Sequence, residues 1–249
     1  MSGGVGPTCN DISLPKEQEQ EHKVQNDDSK SLKSVKTPTT QQKAGFLSFQ
    51  QLNSLAVMIV LSASGMVSPE DIAFVLLSII YVYFLSRVAF PSLQPGRESS
   101  VFDVKNKVLR LYVLVGAIIG LLLPIGYIFE GIYEGDKEGI KAAAPHVFLL
   151  ASQVFMEGLA FSGKFSLPIR AFVPVCYNSV RMYAILDWLR NEISKGEEEY
   201  GGSTRRLYVG MILAIANLAF WSFNLFGFLL PVYLPKAFKR YYSDPKMRD

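Results

Sequence analysis

A small set of polar side chains inside long apolar runs holds the chemical potential of this chain. His146, Gln153 and Glu157 follow one another at seven and four residues, so they share one face of a helix. Arg170, Pro174, Tyr177, Asn178 and Arg181 form a second stripe, and Gly210, Ala214, Asn217, Trp221 and Asn224 a third. An imidazole and a carboxylate on one face are the parts of a proton relay or an acid–base pair, and each ionisable group at membrane depth costs a few kcal/mol. The same residues suit a second purpose, because Asn, Gln and Glu–Arg contacts hold membrane helices together at about 0.6 kcal/mol each. Both readings stand on sequence: a substrate or proton path, or structural glue.

Distance along the helix axis decides which of these groups can meet. If the segments carrying Glu157 and Arg170 turn near Phe165, then at ~1.5 Å per residue the two lie about 12 and 8 Å from the turn. Gln153 and Asn178 fall at about 18–20 Å, and His146 and Arg181 at about 24–29 Å, giving three tiers of partners with Glu157 opposite Arg170. Pro174 frees the Arg170 carbonyl inside its helix.

No catalytic motif accompanies them. The chain has no HExxH, G-x-S-x-G or Walker A loop, and its two histidines, His22 and His146, are too few for a histidine-rich metal centre. Gly201, Gly202 and Ser203 read as a flexible turn, and Glu197, Glu198 and Glu199 as a solvated loop. No catalytic, cofactor-binding or metal-binding residue is assigned, and the expectation is a protein that is not an enzyme and uses no cofactor. Cys9 and Cys176 make no disulfide framework. Nothing points to nucleic acid.

The elements that must position these residues are six apolar segments, about 46–67, 70–90, 108–129, 142–163, 167–189 and 207–234, most of them long enough for a ~30 Å hydrocarbon core. The composition, 49% hydrophobic and 19% charged, is only somewhat apolar for a soluble domain, but these long runs rule out a soluble globular protein. Ser68 and Pro69 start the second segment as N-cap and first helical residue, with Glu70 and Asp71 in its first turn. The tight turn predicts an antiparallel hairpin of segments one and two. Gly116 and Gly120 form a GxxxG packing face in segment three, and Pro124 with Gly126 predicts a kink beyond it.

Residues 1–45 read as a disordered cytosolic tail with too little apolar surface to fold. All six of its acids lie between Asp11 and Asp28, and Lys30, Lys33, Lys36 and Lys43 follow them. This basic stretch either sets topology or binds anionic lipid under the control of phosphorylation at Ser31, Ser34 or Thr37. Residues 46–242 are the transmembrane domain and 243–249 a short polar C-terminal tail. With six spans and a cytosolic N-terminus, sixteen Lys and Arg from Lys30 onward face the cytosol and six face away. If segment five lies only in the interface, the split is fifteen to seven and the C-terminus is outside. Six spans with both termini cytosolic is the expected topology, in the endoplasmic reticulum, a downstream endomembrane or the plasma membrane. Lys236, Lys239 and Arg240, with Tyr233, Tyr241 and Tyr242 around them, are expected to anchor the chain at anionic lipid headgroups.

Several strings occur together: Phe49 to Asn53 leading to Leu61–Val67; Ala142 to Gly158, which carries Pro145, His146, Gln153 and Glu157; Trp221 to Gly227; and Pro231 to Tyr242. As a set they resemble a family of plant transmembrane proteins carrying a domain of unknown function, number 7733, over about residues 46–242. The resemblance implies a plant, multi-pass membrane protein and supplies no activity. The expectation is an all-α polytopic membrane protein of about six transmembrane helices. Its function is that of a non-enzymatic scaffold or assembly factor, with a membrane-protein partner or a second copy of itself. The alternative is a small-solute or ion transporter or channel-like protein with its site between segments four and six, and a membrane-embedded enzyme is a third and weaker reading.

Overall fold

The computed structural model describes residues 48–92, 106–161, 165–197 and 203–243. The chain divides into a unit Met1–Phe46 and a unit Leu47–Asp249. The tail expected over 1–45 lies outside the described residues, as does the C-terminal tail after Ser243. The second unit contains, among the described residues, no strand and six helices: α1 (Phe49–Ala63), α2 (Pro69–Val88), α3 (Lys107–Glu134), α4 (Lys137–Ala160), α5 (Leu167–Glu197) and α6 (Thr204–Tyr242). Four of them, α2, α3, α4 and α6, are long and apolar enough to cross a membrane, and α1 is a shorter apolar helix. The protein is an all-helical membrane protein.

The helix starts follow from local hydrogen bonding. Ser48 opens α1 with a capping box: its Oγ accepts from the Gln51 N–H at 3.3 Å, and its own N–H donates to Gln51 Oε1 at 2.9 Å. Ser68 Oγ accepts from the Asp71 N–H at 3.2 Å and Pro69 takes the first turn of α2. Asn106 caps α3 and Asp136 caps α4. Between α3 and α4 the chain reverses through Gly135, whose φ of 72° favours glycine.

Packing makes α4 and α5 the centre. In the apolar window of α4, 72% of residues are buried, against 17% in α2 and in α3. α5 lies against α4, α6 and α2. At 31 residues it measures about 46 Å at ~1.5 Å per residue, long enough to cross, yet it is more polar than the four apolar helices, carrying charges from Arg170 to Glu197. The reason is its surroundings: a helix enclosed by other helices meets protein, and its polar groups can be answered there.

The first hairpin departs from expectation. The turn through Gly65 and Ser68 is tight, but α1 leans on α4. Gln51 sits so close to Gly158 that a Cβ there would come within 2.6 Å of its amide nitrogen. The GxxxG face packs within the molecule. A Cβ on Gly120 would meet the Trp221 ring at 2.7 Å and one on Gly116 the Phe220 ring at 3.1 Å, so these glycines let α6 approach α3. A π-helical turn occupies Ile118–Leu122, just before Pro124, while Leu123–Glu134, where the kink was expected, is α-helical; α6 carries a longer π-helical stretch over Phe223–Tyr233.

Side-chain contacts sort the helix ends into two groups. Tyr241 Oη donates to the Pro91 carbonyl at 3.0 Å and Ser166 Oγ to the Phe90 carbonyl at 2.8 Å, which joins the ends of α2 and α6 to the start of α5. At the opposite end, Asp136 joins α4 to Lys195 of α5 and Arg206 of α6.

Candidate functional site

Three stripes of polar residues on α4, α5 and α6 become one hydrogen-bonded chain across the bundle. Glu157 Oε1 accepts from Gln153 Nε2 at 2.7 Å, and Gln153 Oε1 accepts from Arg181 Nη1 at 2.7 Å. The other terminal nitrogen of Arg181 donates to Asn178 Oδ1 at 2.9 Å, and Asn178 Nδ2 donates to the Trp221 carbonyl at 3.1 Å. The guanidinium lies 3.9 Å from the centre of the Trp221 ring, a cation–π contact. Trp221 Nε1 continues to Asn217 Oδ1 at 3.1 Å. Arg181, Asn178, Asn217 and His146 are all fully buried.

The end of this chain has a backbone cause. Pro124 has no N–H, so within α3 the carbonyls four and five residues before it, Gly120 and Ile119, lose the donor that residue 124 would supply. Gly120 O lies 2.9 Å from His146 Nε2, and Ile119 O accepts from Asn217 Nδ2 at 3.0 Å. A carbonyl only accepts, so His146 carries its proton on Nε2. His146 and Asn217 therefore satisfy a proline-broken helix from two neighbouring helices.

The axial tiers expected from residue counting are not the pairs that form. Glu157 is hydrogen-bonded along its own helix to Gln153, while Arg170 turns to the Phe165 carbonyl at 3.0 Å and lies 5.7 Å from the centre of the Phe161 ring. Gln153 meets Arg181 where Asn178 was expected, and His146 meets α3. An arginine reaches further along the axis than the tier spacing allows for. Asn224, the last residue of the α6 stripe, is separate from the chain: its Oδ1 accepts from Tyr112 Oη at 2.8 Å, tying α6 to α3. Lys236, Lys239 and Arg240 are exposed on the last turns of α6, whereas Tyr241 is buried and latched to Pro91.

A second polar cluster, at the far end of the bundle, was not legible as a site in the sequence. Asp136 Oδ2 accepts from Arg206 Nε at 2.8 Å and Oδ1 from Lys195 Nζ at 3.1 Å, while the Gly139 N–H caps onto Oδ1 at 2.9 Å. Glu192 Oε1 accepts from Tyr127 Oη at 2.7 Å and from Trp188 Nε1 at 3.3 Å, and lies 3.8 Å from Lys195 Nζ. Arg206 Nη1 donates to the Tyr127 carbonyl at 2.9 Å, and its guanidinium lies 4.0 Å from the centre of the Tyr127 ring. Glu130 joins at 3.8 Å from Arg206 and 3.6 Å from Arg205. Gly139 and Gly210 leave the room: a Cβ at Gly210 would come within 2.8 Å of both Tyr127 Oη and the Glu192 carboxyl carbon. Burial alone would raise the Asp136 carboxyl, but the Gly139 N–H, Arg206 and Lys195 outweigh it and hold the group below the usual carboxylate range.

Lys195, Arg205 and Arg206 are three of the six bases that the expected topology places away from the cytosol. The available signal was the α5 stripe itself, which continues from Arg181 through Ile185, Trp188 and Glu192 to Lys195 at spacings of four, three, four and three. All five are buried. Among the described residues, no three of His, Cys, Asp and Glu gather as a metal site.

Chemically, the two clusters tie α3, α4, α5 and α6 together through opposed charges and carbonyls. Four buried polar atoms in them have no hydrogen-bond partner: His146 Nδ1, Arg181 Nε, Glu192 Oε2 and Arg206 Nη2.

Comparison with protein families gives a match to a family model described as "Domain of unknown function (DUF7733)" over residues 47–242. No curated protein and no solved structure matches the chain.

Proposed function

We propose that this chain, which belongs to the DUF7733 family, is a non-enzymatic membrane scaffold or assembly factor whose polar interior locks a helical core. One observation carries the reading. The buried polar side chains answer one another and the carbonyls that Pro124 exposes, so His146 and Asn217, the residues best suited to chemistry, are occupied in holding α3. A core fixed in this way, with α2 and α3 turning most of their surface outward, can hold a partner membrane protein.

The proposed topology is six spans with both termini cytosolic, in an endomembrane or plasma membrane of a plant cell. Charge asymmetry supports it. Counted along the sequence from Lys30, sixteen Lys and Arg fall on the cytosolic side of this topology and six on the other. Arginine and lysine mark the cytosolic side, and the exposed bases at the end of α6 suit anionic headgroups.

A second reading, a path for a proton or small ion, draws on the four buried polar atoms without partners. One paired experiment separates the two. The expected result is a membrane protein that copurifies in stoichiometric amount from native membranes and loses abundance when this chain is deleted, with no ion or proton flux above empty liposomes. Flux that Glu192→Gln abolishes, with no such partner, would overturn the scaffold reading.

A further inference from the structure

α2 touches the rest of the bundle lightly, and where it meets α5 the two helices border an open groove of about 640 Å³. That lies within the ~300–1,000 Å³ of sites that hold small molecules. The floor is Val82 and Ser78 from α2 with Val173 and Tyr177 from α5. Tyr81 and Phe172 approach across it at 5.9 Å between ring centres, and Phe74 and Tyr177 at 5.1 Å. The polar atoms of the floor, Ser78 Oγ and Tyr177 Oη, bond each other at 2.6 Å and offer little to a polar ligand. What remains is an apolar trough along two helices at membrane depth.

One end of the trough is charged. Leu77, Ile80 and Phe84 line its α2 wall, and Arg87 follows them at the same three-four-three spacing, so the wall runs directly into a guanidinium. Arg87 is exposed and rests 5.3 Å from the centre of the Tyr83 ring, and a stem of this length can carry its charge from an apolar helix to headgroup level. The surrounding helix ends carry Lys239 and Arg240, both exposed.

We propose that this trough holds an acyl chain of an anionic phospholipid from the leaflet at the basic end, with the headgroup at Arg87. The apolar length selects a chain that only the bilayer supplies at this depth. The guanidinium selects negative over zwitterionic heads, since each basic side chain near anionic lipid attracts it. This site goes beyond the scaffold reading and stands or falls without it.

The test uses the full-length protein in phosphatidylcholine nanodiscs doped with phosphatidylserine that bears a photoreactive acyl chain, and crosslinks are mapped by mass spectrometry. Label should concentrate on residues 74–84 and 172–177, and fall about fivefold when the same chain is carried by phosphatidylcholine. Cys176→Trp fills the trough and should remove most of that label at unchanged Tm. Leu77→Trp fills it from the other wall and serves if Cys176→Trp does not fold. Arg87→Gln should bring phosphatidylserine down to the phosphatidylcholine level and leave the latter unchanged. Label spread evenly over the outward faces of α2 and α3, indifferent to either Trp, overturns the site. Equal labelling by both lipids in the unaltered protein overturns the headgroup assignment. Crosslinks to a copurified membrane protein in place of lipid give the trough to a partner helix and overturn it as well.

Discussion

Asp136→Ser separates the charge at Asp136 from its capping role. Serine is as good an N-cap as aspartate, so the start of α4 is kept while the carboxylate that faces Arg206 at 2.8 Å and Lys195 at 3.1 Å is lost. Arg206 and Lys195 are almost completely buried. Breaking a buried ion pair from one side costs about 3–5 kcal/mol, because the remaining charge stays desolvated. Glu130 and the Tyr127 carbonyl still reach Arg206, which places the expected loss near the lower bound, about 3 kcal/mol. For a domain of this size each kcal/mol moves the midpoint by about 2–4 °C, so Tm should fall by roughly 6–12 °C. Asp136→Ala should lose about 1 kcal/mol more through the cap. Arg206→Met should cost a similar amount alone, and the double variant should be less damaged than the sum by about 1–3 kcal/mol, as for groups in contact. The assay is detergent-solubilised thermal unfolding at one fixed scan rate, since membrane proteins seldom unfold reversibly. Asp136→Ser within about 0.5 kcal/mol of the parent, the range of an ordinary surface change, or strictly additive singles, would refute the idea that this cluster fastens α4, α5 and α6.

Further outcomes follow from the same contacts. The Asp136 carboxyl is held below its unfolded value of about 3.9, so its contribution is present above that pH and lost as pH falls through the depressed folded value; Tm against pH should drop more steeply below pH ~4 in the parent than in Asp136→Ser. His146→Leu uncovers the Gly120 carbonyl and should cost about 1–3 kcal/mol, and Pro124→Ala, which restores a helical N–H, should recover part of that loss; absence of rescue in the Tm of the double variant would rule out the proline as the reason for the histidine. Gly120→Val drives a side chain into Trp221 and should cost about 1–3 kcal/mol, whereas Gly126→Ala, with open space around it, should leave Tm unchanged or slightly raised. Glu157→Gln keeps a group able to accept from Gln153 and should fold with little change in Tm; retained function when the variant replaces the parent in a deletion line would support a structural acid, and a folded but inactive protein would support a proton path.

The six apolar segments were readable because the bilayer imposes a rule on local sequence: a crossing element needs about 20 apolar residues, and a helix satisfies its own backbone. Ser68 with Pro69, the GxxxG face and the stripes on α4, α5 and α6 were readable for the same kind of reason, since caps and faces repeat with the helix and involve residues within a turn or two. Pairing was not. Counting residues from the turn put Glu157 opposite Arg170, but the partner of a long side chain depends on the rotation and axial offset of two helices, and Arg181 reaches Gln153 and Asn178 together. The role of His146 was hidden because its partner is a carbonyl on α3, exposed by a proline 22 positions earlier in the sequence. The Asp136 cluster was hidden because each charge, taken alone near a helix end, looks like a solvated or topology-setting residue. Only the packing of α4, α5 and α6 takes Glu192, Lys195 and Arg206 out of water, and it is that desolvation which turns surface charges into a fastening.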